Sequence, residues 1–179
     1  MQQKSQRKEK GKVNGRVNDE AARLKGNKAL VQQFVDGFFN RRNLGVVDEL
    51  FSPEYVHHTP DVPSYAMNFQ DYRKRELQMA NAFPDFCCRV EDQIAEGDRV
   101  TTRLVMEGTQ TGNLPNIPAT GRKIEVRSIV VHRIENGKFK EGWEAYDSLG
   151  MMMQLDVIHM VTTLSKERHE RGWFPASYY

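Results

Sequence analysis

The stretch KIEVRSIVVHRIENGKFKEGWEAYD, residues 123–147, decides the fold. Apolar and polar residues alternate along both of its halves, and Asn136-Gly137 lies between them. A period of two sends successive side chains to opposite faces of a strand. Asn-Gly tolerates the left-handed backbone that a tight hairpin loop requires. The segment therefore reads as two antiparallel strands. In the first, Ser128, Val130 and His132 share a face opposite Arg127, Ile129 and Val131. In the second, Gly142, Glu144 and Tyr146 share a face opposite Glu141, Trp143 and Ala145. Periodicity alone leaves open which face is inside.

Upstream, FCCRVEDQIAEGD (86–98) and RVTTRLVMEGTQTG (99–112) have the same period, with a tight turn at Glu96-Gly97-Asp98. A Gly- and Pro-rich loop, TGNLPNIPATGR (111–122), leads into the hairpin. Before these strands the period is helical. FQDYRKRELQMANA (69–82) puts Phe69, Tyr72, Leu77 and Ala80 roughly on one side and is closed by Phe-Pro-Asp. A short helix is expected over 44–51, burying Val46, Val47, Leu50 and Phe51, followed by a brief extended segment ending at Pro60. Asn27 is a good N-cap for a first helix carrying Leu30, Phe34 and Phe38 beside Val31, Val35 and Phe39. A last short helix is expected over 149–158. Helices followed by four consecutive antiparallel strands predict an α+β fold. A curved antiparallel sheet with the N-terminal helices over its concave side would form a cone, whose inner face must be filled by side chains or by a ligand.

The chain has 179 residues and a formal net charge of +2. That suits one domain with tails and gives no general reason to expect a nucleic-acid partner. Residues 1–26 carry eight Lys or Arg against three Asp or Glu, with few apolar residues, and read as a disordered basic tail. No aromatic residue interleaves with those charges as a base-stacking platform would need. Residues 27–158 form the domain, and 159–179 a C-terminal tail whose aromatic end packs back or holds a partner. No secretory signal or membrane-length apolar run is present. Cys87 and Cys88 are adjacent and point to opposite faces of a strand, so they are expected as free thiols in a reducing, cytoplasmic setting.

Two acids break the apolar run from Lys140 to Leu155: Glu144 and Asp147. If Glu144 faces the cavity, burial should raise its pKa towards neutrality and suit it to proton transfer beside a carbonyl. Its bland alternative is a surface ion pair. Asp147, just ahead of Leu149, is the natural cap of the last helix. Of His57 and His58, one points inward and one outward. An inward His57 suits polarising a carbonyl or holding a hydroxyl, but neither histidine has metal-ligand spacing. His132, near a turn, is expected to be exposed. Arg103 belongs on the outer face, or else paired with an acid such as Glu107 or Glu144. Met151, Met152 and Met153 suit an adaptable helix face on a core or dimer seam. No phosphate-binding loop, dinucleotide glycine pattern or nucleophilic triad is visible.

GTQTGNLPNIPATGRKIEV (108–126), HRIENGKFKEGWEAYDSLGMMMQL (132–155) and ALVQQFVDGFFNRRNLGVVDELFSPEYVHH (29–58) are similar to the SnoaL-like polyketide cyclases and the related ester cyclases. These belong to the nuclear-transport-factor-2-like superfamily. The resemblance covers about residues 28–158. It implies the cone-shaped barrel, a small hydrophobic substrate, no cofactor or metal, and a homodimer or higher homo-oligomer. It also implies an acid/base carboxylate on the last strand, which falls on Glu144. A family histidine falls on Val130, so that partner is replaced, and a cavity asparagine falls on His57. The reading is a cofactor-independent cyclase or isomerase with Glu144 and His57 catalytic, and with Tyr146, Val130, Trp143 and Asp147 at the substrate. Its rivals are a non-catalytic ligand-binding module of the same shape and a dimeric interaction protein.

Overall fold

The computed structural model describes residues 2–60 and 64–158, with side chains from Val17 onward. The expected C-terminal tail lies outside the described residues. Helix α1 (Gln2–Phe34) continues as a π-helix over Val35–Asn40. Short α2 (Val46–Leu50) leads directly into β1 (Phe51–His58), and β2 (Ala66–Asn68) precedes α3 (Phe69–Ala82). Four strands then follow: β3 (Cys87–Glu96), β4 (Arg99–Thr109), β5 (Lys123–Glu135) and β6 (Lys138–Tyr146). Helix α4 spans Ser148–Gln154. The sheet order is β2-β1-β6-β5-β4-β3, and the six-stranded sheet curves without closing.

The α+β class and the meander from β3 to β6 are as expected, with all three of its pairings antiparallel. Three readings need correction. The extended segment after α2 is a full strand of 8 residues, and it runs parallel to β6, so the sheet is not wholly antiparallel. Asn27 lies inside α1 instead of capping it, because good helix formers precede it and continue the helix. It is nevertheless the first buried side chain among the described residues, at 9% exposure. His132 is buried, not exposed. Strand β5 continues to Glu135, so the alternation that buries Val126, Ser128 and Val130 also carries His132 inward.

An aromatic cluster joins helices to sheet. Phe34 packs edge-on against Phe51 (5.0 Å) and Phe139 (5.8 Å), and Phe51 lies 4.6 Å from Phe139. Tyr72 of α3 stacks on Phe51 at 5.3 Å. Such rings bury large apolar areas and prefer these tilted and offset geometries. Helix α3 is fixed at its start by Asn68, whose side chain accepts from the Asp71 amide. Together these contacts hold α3 across the concave face. Cys87 is exposed and Cys88 buried, both free.

Candidate active site

A cavity of about 760 Å³ lies between the concave sheet face and the helices. Leu104 and Met106 of β4 and Val130 of β5 form an apolar floor, with Phe34 and Phe39 above it. Leu114, Pro115 and Ile117 of the Gly- and Pro-rich loop line another part, as do Met151 and Met152 of α4.

One end of this apolar hollow is polar. The parallel register places His57 of β1 opposite Gly142 of β6, and Glu144 lies two residues further along the same face. Glycine at 142 is required by packing. A Cβ there would lie 2.2 Å from the Tyr55 hydroxyl and 3.2 Å from His57 Nδ1. The space it leaves holds a hydrogen bond of 3.0 Å between the Tyr55 hydroxyl and His57 Nδ1. His57 Nε2 is 3.3 Å from Glu144 Oε2. Arg75 Nη2 of α3 donates to that same oxygen at 2.8 Å and to Glu76 Oε1 at 3.1 Å. Arg75 Nε donates to Glu76 Oε1 as well. Ser128 Oγ donates to Glu144 Oε1 at 3.1 Å.

The electrostatics reverse one expectation. Burial by itself pushes the Glu144 carboxyl up, as the sequence suggested. The His57 hydrogen bond and the nearby Arg75 guanidinium overcome that and hold it well below the usual carboxylate range. Glu144 is therefore ionised and accepts only. His57 presents Nε2–H to it, which leaves Nδ1 as the acceptor for Tyr55. Tyr55 keeps its proton because burial raises its pKa, with Glu144 adding to the effect. Glu76 shifts the other way: burial pushes its carboxyl up against the opposing pull of Arg75. Burial also pushes the His132 imidazole down to about 3, so it is neutral, and its Nδ1 has no hydrogen-bond partner among the described residues.

Glu144, His57, Tyr146 and Val130 all line the cavity. Two other expected residues do not. Trp143 points to the outer face, where it stacks on His58 at 5.3 Å and carries the Arg99 guanidinium over its ring at 5.1 Å. The pleat puts it opposite Glu144. Asp147 accepts from the Gly150 amide at 2.8 Å as the N-cap of α4, so it fixes the strand–helix junction. Arg103 is on the outer face, 3.7 Å from Glu91. Sequence reasoning missed Arg75, Glu76, Ser128 and Tyr55. A signal for Glu76 was present, since it lies four residues from both Tyr72 and Ala80, in the middle of the buried stripe of α3. Among the described residues no helix is long and apolar enough to cross a membrane. Among the same residues no group of three or more His, Cys, Asp or Glu could hold a metal ion.

The fold has counterparts among solved structures. AclR of Streptomyces galilaeus, a proposed hydroxylase, superposes with a TM-score of 0.69 at 26% identity, covering 76% of this chain and 99% of its own. TsrD of Streptomyces laurentii gives 0.66 at 28% identity, with 75% and 97% covered. IdmH of Streptomyces antibioticus, a proposed polyketide cyclase, gives 0.64 at 28% identity, with 73% and 99% covered. A comparison with curated proteins gives no match. A sequence model described as SnoaL-like polyketide cyclase matches residues 29–155, most of the chain and nearly all of the described domain. With the family's fold, a cavity under α3 and a carboxylate at its polar end, this chain belongs to the SnoaL-like polyketide cyclase family.

Proposed function

We propose that the protein is a cofactor-independent cyclase or isomerase in which Glu144 removes a proton from a carbon beside a carbonyl. The observation that carries this reading is a buried, ionised carboxylate at the polar end of an apolar cavity. Among the described residues, its Oε2 is occupied by Arg75 and His57, while Oε1 takes one hydrogen bond, from Ser128. A carboxylate oxygen has a second lone pair, so Oε1 can accept a substrate proton. His57 orients Glu144 through Nε2 and is itself held by Tyr55, so it acts as a positioning residue.

The low pKa of Glu144 narrows the substrate. A carboxylate held below the usual carboxylate range is ionised at neutral pH and ready to act, but is a weak base. Its partner must supply the acidity, which favours carbon flanked by two carbonyls over a simple ketone. The apolar floor of Leu104, Met106 and Val130 suits an aromatic or alkyl body attached to that dicarbonyl. The test is the interconversion of keto and enol forms of 1-phenyl-1,3-butanedione, followed by enol absorbance. Glu144→Gln should lower the catalysed rate by about 100-fold or more, and His57→Asn by about 10-fold. An unchanged rate in Glu144→Gln removes the proposal.

Exposed Ile94 of edge strand β3 and Ile129 of β5, both on the outer face of the sheet, favour pairing of two copies through that face. Light scattering at the expected dimer mass supports that pairing, and a monomer at all concentrations ends it.

A further inference from the structure

We propose that Glu76 is the general acid of this site, protonating the substrate oxygen while Glu144 deprotonates the neighbouring carbon. This rests on the reading of Glu144 just given and adds a second catalytic group to it. Glu76 lines the same cavity, is 5% exposed, and shares one guanidinium nitrogen, Arg75 Nη2, with Glu144.

Among the described residues, two buried carboxylates, one guanidinium and one imidazole meet at this end of the cavity. With both acids ionised and His57 neutral, the cluster carries an uncompensated negative charge in apolar surroundings, which is costly. One proton balances it. If that proton were on His57, both ring nitrogens would be donors, and the Tyr55 hydroxyl would lose its acceptor in a fully buried position. Glu76 accepts it without such a loss. Both hydrogen bonds it makes among the described residues go to Oε1, which leaves Oε2 to hold the proton.

The groups facing Glu76 come from every element around it. They are Arg75 and Tyr72 on its own helix, Tyr55 and His57 on β1, Cys88 on β3 and Glu144 on β6. Burial raises Glu76, Arg75 opposes this and Glu144 adds to it; the result is upward. Two carboxyls driven in opposite directions by their surroundings are the pattern expected of an acid and a base in one site.

The step balances within the substrate. The C–H bond breaks as its proton passes to Glu144 Oε1. The electron pair moves through the new C=C bond onto the carbonyl oxygen, and the O–H bond of Glu76 breaks to form the enol O–H. In a ring closure the enolate carbon instead bonds to a second carbonyl carbon of the same molecule, and Glu76 protonates the resulting alkoxide. A proton then passes from Glu144 back to Glu76 through water, which restores the starting state.

The test uses the full chain with ¹³C-labelled glutamate and infrared difference spectroscopy. At neutral pH the wild type should show one protonated carboxyl band, lost in Glu76→Gln and retained in Glu76→Asp. In Glu144→Gln that carboxyl should titrate at lower pH, because the like charge is gone. The enolisation of 1-phenyl-1,3-butanedione should fall about 100-fold in Glu76→Gln and lose its decline at high pH. Absence of a protonated carboxyl in the wild type at neutral pH overturns the proposal, even if a variant fails to fold. So does a Glu76→Gln rate and pH profile like the wild type's. Failure of the Glu144 reading shows separately, as an unchanged rate in Glu144→Gln.

Discussion

The packing at Gly142 gives the sharpest test of how the polar cluster is held. Alanine there puts a methyl group 2.2 Å from the Tyr55 hydroxyl and 3.2 Å from both its Cζ and His57 Nδ1. Tyr55 is 1% exposed and wedged between Phe51 and Tyr72, so it has no free space to retreat into. Overpacking of this kind costs about 1–3 kcal/mol. If the hydroxyl swings away, His57 Nδ1 loses its partner while buried, at about 1–3 kcal/mol more. A loss near 4 kcal/mol in Gly142→Ala corresponds to a fall in Tm of roughly 8–16 °C. Calorimetry on wild type, Gly142→Ala, Tyr55→Phe and the double variant measures it. Removing the hydroxyl relieves the worst contact, so the double variant should be more stable than the sum of the singles by about 1–2 kcal/mol. A Gly142→Ala protein melting within about 2 °C of wild type refutes this packing argument.

Two further predictions concern stability and the roles of neighbouring residues. His132 is neutral when folded, with a pKa near 3, and unfolding lets it return to its ordinary value. The unfolded state therefore binds the extra proton first, and the stability due to His132 is full above about pH 6.5 and is lost as pH falls towards 3. Between pH 6 and 4 this amounts to about 2–3 kcal/mol. His132→Phe should flatten the acid limb of a denaturation-versus-pH series, and an unchanged limb counts against the assignment. Asp147→Ala should cost about 1 kcal/mol in urea denaturation by removing the cap of α4. It should leave the enolisation rate within about two-fold of wild type, and a large rate loss returns Asp147 to the substrate site.

Much of the fold was legible because its signals are local. The alternation and Asn-Gly turn of residues 123–147 give β5 and β6, and the helical spacing of Phe69, Tyr72, Leu77 and Ala80 gives α3 from Phe69 to Ala82. Asp147 as a cap followed from its place between a strand and a helical run. The parallel pairing of β1 with β6 was not legible, because no short-range pattern records a contact between His57 and Gly142. That pairing joins His57 to Glu144. Trp143 was misplaced because alternation fixes which residues share a face but not which face is inside. Arg75 and Glu76 sit in a charged run, and the one local sign that Glu76 holds a core position is its spacing of four residues from Tyr72 and from Ala80. Glu144 was located correctly while its pKa was expected to move the wrong way, since burial is readable from an apolar context but the arrival of Arg75 from α3 is not.

The central claim is that Glu144 Oε1 faces the reacting carbon of a dicarbonyl compound inside the apolar cavity. A crystal structure with 1-phenyl-1,3-butanedione bound tests it most directly. The account predicts the phenyl ring against Leu104, Met106 and Val130, with the central carbon within about 3.5 Å of Glu144 Oε1. A diketone bound outside the cavity, or inside it with the central carbon directed away from Glu144, contradicts the account.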